Sequence, residues 1–147
     1  MTKPHLVCSY EHAKTFLVNA QQMATNLKKL RALAAEEVEA TLAALPAPLQ
    51  KAARKLPITF ERRPSRAMIA DGVEPDTLGL FLGPEFAEEH ATDCMLPPRI
   101  VLYLENVWDA AEGDEEAFRH EIRTTLLHEL GHYLGLDEDD LLARGLE

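Results

Sequence analysis

The sequence has little of what marks a membrane protein or a secreted protein. No apolar run approaches the roughly 20 residues that a membrane-spanning helix needs, and the N-terminus has no uninterrupted apolar segment of the kind found in signal peptides. The chain has only two cysteines. Cys8 and Cys94 lie far apart in the sequence, which favours free thiols in a reducing compartment over a disulfide.

Positive charge is also scarce. The chain has 15 Lys and Arg residues against 25 Asp and Glu residues, so its net charge is −10. This charge opposes nonspecific binding to nucleic acid and to anionic membranes. We therefore expect a cytoplasmic protein with no nucleic-acid partner and no membrane partner. The apolar fraction of 46% is enough for an ordinary hydrophobic core.

One stretch of the chain has the spacing of a metal site. It reads H-E-L-G-H over residues 128–132. Residues four apart share one face of a helix, so His128 and His132 can bind the same metal ion. Zinc accepts imidazole nitrogen as a ligand. Glu129 can reach a metal-bound water and act as the general base of a metallopeptidase.

A catalytic zinc needs a third protein ligand and one open position. We expect Gly135 to end the helix, because glycine adopts the left-handed conformation at a helix C-terminus at little cost. The chain can then turn back and bring an acidic side chain to the metal. Glu138 stands at the spacing of the third ligand in H-E-x-x-H-x-x-G-x-x-[H/D/E] patterns. Asp137 is the reserve candidate, and Asp139 is close enough to compete.

The segment that contains this motif, residues 124–141, resembles the C-terminal signature of a bacterial family of small zincin-like metallopeptidases, the minimal zincins. The likeness continues upstream at Leu45-Pro46, Ile58–Phe60, Leu78–Phe81 and Pro98–Tyr103 and covers roughly residues 34–147. It implies a zincin-like metallopeptidase domain over residues 34–147, preceded by an N-terminal helical extension over residues 1–33. It also implies a Zn2+ cofactor and a peptide or protein substrate. The family usually has Asp at the position of Glu138.

We predict an α+β fold with N-terminal helices, a small mixed sheet of three to four strands and a C-terminal active-site helix. Helices are expected over Ser9–Leu33, Ala34–Leu45, Leu49–Lys55 and Glu115–Leu134, with a short tail helix anchored by Leu141, Leu142 and Leu146. Strands are expected over Ile58–Glu61, Leu78–Leu82 and Arg99–Glu105, and Ser65–Asp76 is loop-like.

The sequence also predicts where two of these strands lie within the sheet. The nearly continuous apolar run of the third strand predicts a central strand that is buried on both faces. The second strand contains Gly79 and is a candidate edge strand, which would either bind an extended peptide or be purely structural.

Other residues with catalytic or ligand chemistry are harder to assign. A hydrolase also needs a group that stabilises the oxyanion, and only Tyr103 and Tyr133 are candidates. No methionine follows the motif, which excludes the Met-turn of metzincins. Two further sets have spacings that a metal could use, but neither matches a recognised structural-zinc pattern: His5, Cys8 and His12, and His90 and Cys94. His120 lies near the same helical face as the motif and is expected to be an ordinary surface histidine rather than a residue that supports the site.

The motif predicts a zinc-dependent metallopeptidase that hydrolyses peptide bonds through a zinc-bound water, with Glu129 as its catalytic residue and His128, His132 and Glu138 as its zinc ligands. The alternative is a non-catalytic zinc-binding module with a structural or interaction role. A closed four-ligand site that includes both Asp137 and Glu138 would favour the module. An open position for water would favour the peptidase. A hydrolase that acts on a small amide is a third option.

Overall fold

A computed structural model of the chain describes residues 8–83 and 97–143. Its elements in chain order are α1 Cys8–Ala44, α2 Ala47–Ala53, β1 Ile58–Glu61, α3 Arg66–Ala70, β2 Gly79–Leu82, β3 Arg99–Tyr103, α4 Leu104–Ala110, α5 Glu115–Leu134 and α6 Glu138–Ala143. This arrangement confirms the predicted α+β class. Within the described ranges no helix is both long enough and apolar enough to cross a membrane.

Within the described residues the sheet has three strands in the order β1-β3-β2. Strand β1 runs parallel to β3, with Ile58 opposite Ile100, and β2 runs antiparallel to it, with Gly79 opposite Leu102. Residues 100–103 of β3 are all buried, as the apolar run predicted. Among the described strands β2 lies at an edge of the sheet, as predicted, and this matters because β2 lies beside the predicted metal motif.

Helix α5 packs against α1, α4, β2 and β3. The side chain of Asp114 caps its N-terminus by accepting a hydrogen bond from the backbone of Ala117, and Gly135 ends it with φ of 68°. Both ends therefore lie where the sequence predicted them. Apolar residues that recur at steps of three and four along α5 form a fully buried face, which comprises Phe118, Ile122, Leu126, Leu130 and Tyr133. Because this face is packed into the core, the orientation of α5 about its axis is fixed, and so are the directions of the side chains on its other faces.

Helix α1 is continuous, so the helix expected over Ser9–Leu33 continues without a break through the helical segment expected over Ala34–Leu45. No proline or glycine interrupts this part of the sequence, and alanine and leucine are strong helix formers. The expected boundary between an N-terminal extension and the zincin-like domain thus falls inside a helix. Within residues 21–44 of α1, the first buried residue is Leu30.

Three local predictions were wrong. The segment after Ser65 forms α3 rather than a loop, because the Ser65 side chain caps it by accepting a hydrogen bond from the Met68 backbone. Strand β3 ends at Tyr103 and α4 follows at once, since Leu104 and Val107 are buried at helical spacing. In the tail helix, Leu142 is 55% exposed and does not anchor the chain.

Some predicted features lie outside the described residues. These are His5, the polar insertion that contains His90 and Cys94, and Leu146.

Candidate metal centre

The two histidines of the motif lie on the last turns of α5, on a face that is open to solvent. Their Nε2 atoms are 3.1 Å apart, and their ring centroids are 4.7 Å apart. Tetrahedral nitrogen ligands at about 2.0–2.1 Å from zinc lie about 3.3–3.4 Å from each other. The nitrogen atoms of His128 and His132 are therefore close to the spacing that a shared zinc ion requires.

Glu129 occupies the next face of α5 and is partly buried. Its Oε2 accepts a hydrogen bond from the backbone N–H of Phe81 in β2, at 2.9 Å. Burial raises the pKa of Glu129 above the ordinary value of a glutamate, while the hydrogen bond from Phe81 and the nearby His132 and His128 partly oppose this rise. The carboxylate thus lies between the exposed histidines and the edge of the sheet.

Among the described residues no strand pairs with the edge of β2 that faces away from β3, and this explains why the Phe81 amide is available. Residues that face each other in antiparallel strands alternate between pairs that exchange hydrogen bonds and pairs that do not. Tyr103 donates its backbone N–H to the carbonyl of Leu78 at 2.8 Å, so Leu78 and Leu80 direct their backbone groups toward β3. Gly79 and Phe81 direct theirs away from the sheet. The Phe81 N–H therefore contacts Glu129 without any loss of pairing within the sheet.

The structure shows an additional role for Asp137, the reserve third ligand. Its Oδ1 accepts a hydrogen bond from the backbone N–H of Asp140 at 2.8 Å, and its own N–H donates to Oδ2 of Asp140 at 3.3 Å. These reciprocal bonds cap the N-terminus of α6. One oxygen of Asp137 is therefore engaged with the helix that begins at Glu138.

The third ligand has no described position. The side chain of Glu138 lies outside the part of the chain that the structure describes. Among the described side chains, no group of three His, Cys, Asp or Glu residues could hold a metal ion. The structure thus brings together His128, Glu129 and His132, and the assignment of Glu138 remains a prediction.

Both tyrosines that were candidates for oxyanion stabilisation belong to the core. Tyr103 and Tyr133 are each 1% exposed, and the ring of Tyr133 packs against Phe81 with centroids 5.6 Å apart. Burial raises the pKa of the Tyr103 hydroxyl. These positions give both rings a packing role. The contact that sequence reasoning missed is the Phe81 amide, since a backbone donor has no signature in side-chain identity.

The family model described as zincin-like metallopeptidase matches residues 53–146, which is more than half of the chain. The match runs from the end of α2 through the sheet and α5 to the tail. It therefore includes every residue of the metal motif. No curated protein matches the sequence.

Proposed function

The chain belongs to the zincin-like metallopeptidase family, and from that premise we propose that it is a zinc-dependent peptidase acting on a peptide or protein substrate. The observation that carries the proposal is the pair of Nε2 atoms 3.1 Å apart on the solvent face of α5, next to Glu129. Two imidazoles with an adjacent carboxylate are a donor set that suits zinc and water activation. The donors that the structure describes therefore fit the proposed ion.

We assign zinc binding to His128, His132 and Glu138. The carboxylate of Asp137 caps α6, so one of its oxygens is engaged. Glu138 is the first residue of that helix. Its position agrees with the spacing of the third ligand after Gly135. Asp137 remains the reserve, because one of its two oxygens is not used by the cap.

When bound, zinc would lower the pKa of a coordinated water toward about 7 and polarise the scissile carbonyl. Glu129 takes the proton of the attacking water and then delivers it to the leaving amine. Burial against β2 raises the pKa of Glu129 above the ordinary value of a glutamate, which favours delivery of the proton by a carboxyl group at this position. Partial burial against β2 also keeps bulk water away from one side of the carboxylate.

The edge of β2 that no described strand pairs with is the proposed binding surface for the substrate. An extended peptide can add to an exposed strand through backbone hydrogen bonds. The backbone groups of Gly79 and the carbonyl of Phe81 point away from the sheet at this edge. A peptide paired there would lie beside Glu129, which contacts the same strand.

Replacement of Glu129 by Gln tests the catalytic assignment. We expect Glu129→Gln to retain zinc, because the metal ligands are unchanged, and to lose turnover of a peptide library by about 10²-fold or more. Zinc content and cleavage rate should be measured on the same preparations. Unchanged turnover in Glu129→Gln would refute the proposed base. Zinc binding by the wild-type protein without cleavage of any peptide would favour the non-catalytic zinc-binding module.

A further inference from the structure

We propose that the backbone amide of Phe81 is a positioning group for Glu129. In this arrangement the edge strand β2 holds the carboxylate of the general base in place through the 2.9 Å hydrogen bond from Phe81 N–H to Oε2. The inference rests on the proposed function, because it concerns the base of that reaction. Strand β2 would then both bind the substrate and orient the carboxylate of Glu129.

The packing of α5 on β2 fixes this contact from both sides. Thr125, Glu129 and Tyr133 are four residues apart, so they lie on one face of α5, and each of them meets β2. A Cβ atom at Gly79 would lie only 2.6 Å from Cγ2 of Thr125. The Tyr133 ring packs on Phe81 at the other end. The strand is therefore held against the helix one turn before Glu129 and one turn after it.

The hydrogen bond constrains the carboxylate without competing with the sheet. It engages one carboxylate oxygen and leaves the other for proton transfer. Hydrogen bonds to a charged acceptor are stronger than neutral ones, and this acceptor is partly buried, where such a bond is less weakened by water. A Glu129 side chain without this bond would sample more orientations, and fewer of them would suit proton transfer.

The contact also separates the positioning of the base from substrate binding. Because Glu129 occupies the Phe81 N–H, a peptide that adds to the edge must pair with other backbone groups, such as those of Gly79. Loss of the Phe81 N–H should therefore lower kcat and have little effect on KM. If the amide served the substrate instead, its loss would raise KM.

Proline at position 81 removes this N–H together with the Phe81 ring. Proline is tolerated on edge strands where the missing N–H would face away from the sheet, as it does at Phe81. The matched control is Phe81→Val, which also loses the ring contact with Tyr133 but keeps the amide. We expect kcat of Phe81→Pro to be about tenfold or more below that of Phe81→Val, with KM values that agree within about threefold and equal zinc content. Equal kcat values, or a raised KM with unchanged kcat, would overturn the proposal.

Amide hydrogen exchange measured by NMR tests the contact without any assay of activity. We expect the Phe81 amide of the wild-type protein to exchange about tenfold or more slowly than the Gly79 amide, although both point away from the same edge. In Glu129→Ala the two amides should exchange at similar rates. Protection of Phe81 that persists in Glu129→Ala would overturn the proposed contact.

The two experiments distinguish this inference from the proposed function. If the Phe81 amide exchanges slowly only when Glu129 is present, but the wild-type protein cleaves no peptide, the proposed function is refuted and the hydrogen bond between Phe81 and Glu129 is supported. If the wild-type protein cleaves peptides efficiently, but Phe81→Pro and Phe81→Val have equal kcat values, the proposed function is supported and the positioning role of the Phe81 amide is refuted.

Discussion

The packing of β2 on α5 makes Gly79→Ala a sensitive test of the site. An added Cβ would lie 2.6 Å from Thr125 Cγ2, 3.0 Å from Leu102 Cδ2 and 3.3 Å from the Val101 carbonyl oxygen. The first distance is too short for two carbon atoms, and Thr125 is β-branched and stiff on its helix. The strand must therefore move away from α5, or the threonine must change its rotamer.

The expected cost follows from two opposing effects. Overpacking of this kind costs about 1–3 kcal/mol. Alanine also restricts the unfolded chain, which returns about 0.4–1 kcal/mol. Gly79 does not have a positive φ, so backbone strain adds nothing. We expect the free energy of unfolding to fall by about 1–2 kcal/mol, which corresponds to a drop in Tm of about 3–6 °C for a chain of this size.

Urea and thermal unfolding measure this effect, and Thr125 provides the matched control. Thr125→Ser removes the methyl group that the new Cβ would meet. We expect the double variant Gly79→Ala/Thr125→Ser to recover about half of the lost stability or more, because residues in direct contact have coupled effects. Wild-type stability in Gly79→Ala would refute the close packing of β2 on α5. An equal loss in both backgrounds would show that Thr125 is not the obstacle.

Substitutions at two further positions test the segments that lead into and out of the site. Asn106 is 4% exposed, and its side chain donates hydrogen bonds to the carbonyls of Pro75 and Thr77, just before β2. Asn106→Ala should lower the free energy of unfolding by about 1–3 kcal/mol, because both carbonyls lose their donor. A urea midpoint equal to that of the wild type would contradict this role. Gly135 has φ of 68°, so Gly135→Ala should cost about 1–2 kcal/mol in the same assay, whereas Gly135→Asn should cost less because asparagine tolerates this conformation.

Helix α5 and strand β3 were the most predictable parts of the fold, because their signals are local. Asp114 supplies a cap, apolar residues recur at helical spacing, and Gly135 supplies the left-handed end, so both bounds of α5 followed from the sequence. The apolar run over residues 100–103 predicted a buried central strand for the same reason. The metal motif itself is defined by spacing along one helix, which explains why His128 and His132 came together as expected.

The features that the sequence did not predict depend on tertiary contacts. The change from β3 to α4 occurs between Tyr103 and Leu104, inside an apolar run, so the apolar pattern alone could not place it. The bond from Phe81 to Glu129 joins a backbone amide to a side chain 48 residues away. No local pattern encodes such a contact. The sequence also could not identify the third zinc ligand. Several acidic residues follow Gly135, and which of them reaches the metal depends on the path of the chain.

The most direct test of the central claim is the zinc content of protein purified without an affinity tag, measured by mass spectrometry beside the His132→Ala variant. The proposed site predicts about one zinc ion per wild-type chain and its loss in the variant, because two imidazoles one turn apart share the ion. An absence of zinc from both proteins, even after reconstitution with the metal, would contradict the metal site and the peptidase activity proposed from it.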